Sequence, residues 1–160
     1  MTPQQRVTPC LWFNFNAEEA VARYCAIFRD ARIETIVRYG PGQPGPEGAV
    51  MTILFTIEGQ SFLALNGGPQ FPFTPAISLI VNCDDQEEVD LYWARLSEGG
   101  AKGPCGWLTD KYGVSWQIVP RALPELLTSG DADQANRVMK TVLGMGKIDL
   151  AAVRRAAGPN

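Results

Sequence analysis

One order of signals runs through this chain twice, and that internal repeat restricts the fold more than any other feature. In the first copy, residues 7–15 alternate, with Leu11, Phe13 and Phe15 on one face and Cys10, Trp12 and Asn14 on the other. That is the period of a strand. Asn16 stands where a helix cap belongs, Glu18 and Glu19 fall in the electropositive first turn, and Ala20, Tyr24, Ile27 and Phe28 form an apolar stripe at helical spacing. Strands follow at residues 33–39, 50–57 and 60–65, the last two around the turn Glu58-Gly59. After a Gly- and Pro-rich linker at residues 66–75 the pattern begins again. Residues 76–82 read as a strand, Asp84 or Asp85 caps a helix with Glu87 and Glu88 in its first turn, and Val89, Trp93 and Leu96 repeat the stripe.

The second copy closes on residues 106–120, a tight turn at Asp110-Lys111-Tyr112-Gly113 followed by a strand that ends at Pro120. Gly113 matches Gly59, Ser115 matches Ser61 and Trp116 matches Phe62. Val114, Trp116 and Ile118 make an apolar face that should pack, while Ser115, Gln117 and Val119 point the other way. The expected fold class is therefore α+β: two tandem βαβββ modules, about residues 7–66 and 75–120, together a domain over 1–120. A doubly wound dinucleotide fold is excluded, because no Gly-x-Gly-x-x-Gly follows a strand and opens a helix. Residues 121–160 form a C-terminal helical extension. Pro124 suits the first turn of a short helix, and Asp131 or Asp133 starts a longer one with Val138, Met139, Val142 and Leu143 on one face, stopped at Gly144. Asp149 caps the last helix, whose Arg154 and Arg155 complement its C-terminal end. Such short helices need a surface to dock on, either the body or another subunit.

The residue inventory narrows the chemistry. With 46% apolar and 19% charged residues and a net charge of −3, the chain is an ordinary folded protein with no electrostatic reason to bind nucleic acid. It has no apolar run of the roughly 20 residues a membrane span needs, and its first eight residues lack a secretory pattern, so a cytoplasmic location is expected. The cysteines, Cys10, Cys25, Cys83 and Cys105, stand singly, which favours packed thiols over zinc ligands or disulfides. The chain contains no histidine, and with it go the imidazole-based triads and the commonest metal ligand.

Tandem βαβββ units resemble the vicinal oxygen chelate superfamily of glyoxalases, extradiol dioxygenases and fosfomycin and bleomycin resistance proteins. The chain is most similar to its PhnB-like, demethylubiquinone methyltransferase-like branch. That resemblance is carried by residues 8–19 (Thr-Pro-Cys-Leu-Trp-Phe-Asn-Phe-Asn-Ala-Glu-Glu), 38–48, 73–83 (Phe-Thr-Pro-Ala-Ile-Ser-Leu-Ile-Val-Asn-Cys), 91–100 and 106–119. It implies modules paired into a cupped mixed sheet around a cavity, and a homodimer. In metal-dependent relatives the ligands come from strand positions that match Cys10, Leu63, Ala76 or Ser78, and Gln117, and a glutamate stands where this chain has Gln117. A thiol, a leucine and a neutral amide do not make a site for a hard divalent ion, so no metal and no other cofactor is expected.

The cavity-facing candidates are Gln117, Ser78, Trp12 and Cys10, with Tyr39 and Arg38 at the entrance of the loop 40–48. That loop is either a lid or a solvated crossover. Trp12 serves a ligand or a dimer contact, and Gln117, Ser78 and Asn14 either meet a ligand or satisfy one another. Asn14 and Asn82, at strand-to-helix junctions, read as capping residues. No catalytic residue is assigned. The leading expectation is a protein that binds a small organic molecule in a metal-free cavity. The alternatives are a metal-dependent lyase, isomerase or dioxygenase, and a dimeric interaction module without catalysis. The methyltransferase label of the branch finds no glycine-rich nucleotide loop after the first strand.

Overall fold

The computed structural model describes residues 5–159. Residues 1–4, part of the stretch read as lacking a secretory pattern, and Asn160, the end of the extension, lie outside the described residues. The chain forms two compact units, one ending at Phe73 and one beginning at Thr74.

The first unit runs β1 (Cys10–Phe13), α1 (Ala17–Ile27), β2 (Ala31–Arg38), β3 (Val50–Ile57) and β4 (Gln60–Asn66). Its sheet has the order β1-β4-β3-β2 and is mixed, because β1 runs parallel to β4 while the other pairs are antiparallel. Helix α1 lies on β3 and β4 and buries Ala20, Tyr24, Ile27 and Phe28, the expected stripe. Tyr24 stacks on Phe55 with centroids 6.4 Å apart, and Phe55 on Phe62 at 5.5 Å. Leu11 and Phe13 complete this face, each such side chain contributing about 1.5–3 kcal/mol by leaving water. Glu58 and Gly59 both take positive φ, +47° and +80°, as a two-residue hairpin turn requires.

Two local readings are corrected here. β1 is shorter than residues 7–15, since Phe15 turns out of the strand at φ +57° and is 43% exposed. Asn16 occupies the cap position of α1, but its side chain caps nothing. The capping oxygen belongs to Asn66, read from sequence as the start of a linker: its Oδ1 accepts from the Ala17 N–H at 3.0 Å, and its Nδ2 donates to Glu18 Oε2 at 2.8 Å and to the Val50 carbonyl at 3.0 Å. A buried amide with every group satisfied ties β4 to the helix start and to β3.

The second unit runs β5 (Ser78–Cys83), α2 (Gln86–Ser97), β6 (Ala101–Lys102), β7 (Trp107–Thr109) and β8 (Ser115–Pro120), then α3 (Ala122–Thr128), α4 (Ala132–Leu143) and α5 (Leu150–Ala157). Its mixed sheet, β5-β8-β7-β6, repeats the first: first and last strands are parallel, the rest antiparallel. Asp85 caps α2 by accepting from the Glu88 N–H at 2.9 Å, and Glu88 Oε2 accepts in return from the Asp84 N–H at 2.8 Å. Asn14 and Asn82 are exposed and cap neither helix. Val89, Trp93 and Leu96 pack on Leu108, Trp116 and Ile118, as the stripe and the apolar face require.

The helices after Pro120 dock within this same unit. Leu123, Val138, Val142, Ile148, Val153 and Ala157 form a second core, against which Cys105 and Val119 are packed. Backbone bonds fasten it, from Cys105 N–H to the Met145 carbonyl and from Gly106 N–H to the Gly146 carbonyl, both at 2.8 Å. Gly106 holds φ +80°, and an added Cβ there would stand 2.7 Å from the Ile118 carbonyl oxygen, so no other residue fits without movement. The one-face reading of α4 needs correction: Val138 and Val142 are buried, whereas Met139 is 41% and Leu143 62% exposed. Residues spaced at i, i+1, i+4 and i+5 span a wide arc of a helix, and the core covers only one side of it.

Candidate functional site

Each sheet has one face under its first helix, and in the second unit the C-terminal helices pack on the other face at Val119. In the second unit, strand alternation and register place Ser78 and Ile80 of β5, Ser115 and Gln117 of β8, and Trp107 and Thr109 of β7 together on the face opposite α2. Gln117 Nε2 donates to Ser78 Oγ at 2.9 Å, so these two candidates meet, and the pair satisfies part of its own hydrogen bonding.

Beside that pair opens a cavity of about 530 Å3. Trp107, Thr109 and Ser115 supply its floor, the segment through Pro104 and Cys105 one wall, and Pro75 and Leu143 others. Ser115 is only 2% exposed and lines this cavity. Sequence reasoning placed Ser115 on the correct face and passed over it; Trp107 and Thr109 were legible from the same alternation. Leu143 was not, because only the tertiary fold brings α4 to this place.

The other candidates belong to the first unit. Trp12 and Cys10 stand on the sheet face opposite α1; Trp12 Nε1 donates to the Gly68 carbonyl at 2.9 Å, and its ring meets Phe71 edge-on at 4.9 Å. Tyr39 is buried, and its hydroxyl donates to the Asn66 carbonyl at 2.6 Å. Arg38 donates to the Gly48 carbonyl at 2.9 Å across the loop that Tyr39 and Ala49 close through backbone bonds.

The thiols lack the surroundings of nucleophiles. Burial raises those of Cys10 and Cys25 above their ordinary value. Cys83 is pushed up to about 12, by burial first and then by Glu88, Asp84 and Asp85. All four cysteines are free. Nor do the positions that correspond to metal ligands fit a metal. Gln117 offers an amide already bonded to a hydroxyl, and Cys10 pairs in register with Leu63. Among the described residues no group of three or more His, Cys, Asp or Glu side chains is placed to hold an ion.

Two βαβββ modules, each closed by parallel pairing of its first and last strands, define the vicinal oxygen chelate class of α+β fold. The model of the 3-demethylubiquinone-9 3-methyltransferase family matches residues 5–119. The PhnB protein of Bacillus cereus is 39% identical, over 72% of this chain and 99% of its own, with a TM-score of 0.65. The chain belongs to that family, the PhnB-like branch of the class. Protein PA1353 from Pseudomonas aeruginosa, 23% identical over 73% of this chain and 98% of its own, shares the fold with a TM-score of 0.60. A Staphylococcus aureus protein is 32% identical over 71% of this chain and 94% of its own; its TM-score of 0.34 leaves a likeness of sequence only. Comparison with functionally curated proteins gave no match. The family match stops at residue 119, so α3, α4 and α5 lie beyond it. Among the described residues no helix is long and apolar enough to cross a membrane.

Proposed function

We propose that this PhnB-like protein binds a small organic molecule, without a metal or other cofactor, in the cavity of its second module. The observation that carries the reading is a cavity of about 530 Å3 with Ser115 and Thr109 among its lining residues, a size within the range of small-molecule sites. Gln117 and Ser78 flank the ligand on the same sheet face. Trp12, Cys10, Tyr39 and Arg38 lie in the first unit and are not assigned to this cavity. Residues 1–120 make up the two-module domain, and the extension at 121–160 lends the cavity a wall through Leu143. The family's methyltransferase name does not carry over: a methyl transfer needs a donor site, and the β1–α1 junction here is Phe13-Asn14-Phe15-Asn16, with no cradle of glycines for a nucleotide. The metal-dependent alternatives need a ligand set that the chain does not offer at the corresponding strand positions.

A homodimer in the cytoplasm completes the reading. The apolar Ile33, Ile36 and Val37 of edge strand β2 are each more than 40% exposed, which suits a subunit contact, and four free thiols suit a reducing compartment. A thermal-shift screen of small organic molecules tests the binding claim. Ligands should raise Tm in the native protein and lose most of that effect in Ser115→Ala, which removes the hydroxyl and adds no bulk. Equal shifts in both proteins would sink the assignment of this cavity.

A further inference from the structure

Strand register decides which side chains the cavity can offer a ligand. Ala101, Thr109 and Ser115 pair in sequence across β6, β7 and β8, so their side chains share one sheet face and form a row of the floor. Lys102 pairs with Leu108, and Leu108 with Trp116, so the lysine leaves the sheet on the α2 face, where those two partners are buried. Among the described residues that line the cavity, Lys102 is the one with an ionised side chain, and its charge is turned away from the floor. The polar side chains of the floor, Thr109 and Ser115, are neutral hydroxyls able to donate or accept. Trp107, on the same face, and Pro75 and Pro104 add apolar ring surfaces.

The last wall comes from outside the family match, which ends at residue 119. Leu143 closes α4 and lines the cavity while 62% exposed, and its neighbour Val142 is buried in the core of the extension. The chain that follows is fastened to the segment forming the adjoining wall: the Met145 and Gly146 carbonyls accept from the Cys105 and Gly106 N–H groups, both at 2.8 Å. The Met145 N–H in turn donates to the Val142 carbonyl at 3.0 Å. Leu143 is therefore held in place on both sides, by a core contact and by the cavity's own wall.

Resting on the binding function proposed above, we infer that the ligand is a small uncharged molecule with a flat apolar body, and that Leu143 limits its size. A polar group on the ligand meets the Thr109 or Ser115 hydroxyl, and the body lies against Trp107 and the two prolines. An ion on this floor would give up water without gaining an opposite charge, a cost that hydroxyls alone do not offset. The size limit belongs to the extension and not to the two-module fold.

Three probes with one bicyclic body test the charge by calorimetry at neutral pH: naphthol, naphthoate and naphthylmethylammonium. The native protein should bind naphthol at least about tenfold more tightly than either ion. Hydroxypyrene, with the same polar group on a larger body, tests the limit. Leu143→Ala should bind it about tenfold more tightly than the native protein does, and Leu143→Trp should weaken naphthol by about the same factor. Leu143 lies outside the buried core, so both variants should keep the native fold. If either ion binds as well as naphthol and Leu143→Trp weakens both, the charge inference fails while the cavity stands. If Leu143→Ala and the native protein bind hydroxypyrene alike, the size limit fails. If Leu143→Trp leaves every affinity intact, the probes bind elsewhere, and the cavity falls with the inference. Absence of naphthol binding at about millimolar concentration would overturn the inference and leave the thermal-shift screen to decide the binding function.

Discussion

Asp110 is 3% exposed, and its carboxylate gathers the hairpin around it. Oδ1 accepts from the N–H groups of Tyr112 at 2.9 Å and Val114 at 3.0 Å, and Oδ2 from Trp116 Nε1 at 2.9 Å. Asp110→Ala strands two buried donors and a half-buried one and should cost about 3 kcal/mol or more in denaturant unfolding, against under about 1 kcal/mol for the neighbouring Lys111→Ala. The turn itself was legible from Asp-Lys-Tyr-Gly. The indole bond was not, because it links positions six apart across a bend, and no local propensity records it. Asn66 shows the opposite failure: its Asn-Gly-Gly context signals a loop, while long-range partners make it a buried cap. The cysteines give a chemical test. With Cys83 pushed up to about 12, its thiol stays protonated through the neutral range, and alkylation at mildly alkaline pH should spare it while modifying Cys10. Equal labelling rates in folded protein would contradict the packing described for Cys83.

At the scale of elements, the strands and stripes of both modules follow from periodicity, because each sheet has one face under its first helix and alternation reports that face directly. Edges were less legible. β6 is two residues long, and β5 begins at Ser78 rather than at residue 76, since strand ends depend on partners and not on composition. The site was legible in part for the same reason: alternation marked the face of Gln117, Ser78 and Ser115, but a cavity wall supplied by α4 cannot be read from any one strand. The extension is integral to the second unit. Ile148 is 1% exposed at its centre, its carbonyl accepts from Gln86 Nε2 at 3.1 Å, and Gln86 Oε1 accepts from the Leu150 N–H at 2.8 Å. Ile148→Ala should cost about 2–4 kcal/mol in a single cooperative unfolding step of this unit. Loss of α5 signals alone, with β8 unchanged by hydrogen exchange, would show the extension to be an independent appendage.

For the whole molecule, family membership and fold set a prior but not an activity, because one fold of this kind hosts many chemistries. What distinguishes this chain is an apolar cavity in its second unit with Ser115 and Thr109 among the lining residues. The central claim is metal-free binding, and metal content tests it most directly. Elemental analysis of protein purified without chelators, together with native mass spectrometry, should find a dimer with well under about 0.1 equivalents of any transition metal per chain. About one equivalent of a single metal per chain, lost together with probe binding on chelation, would contradict the account and make a metal-dependent enzyme the leading reading.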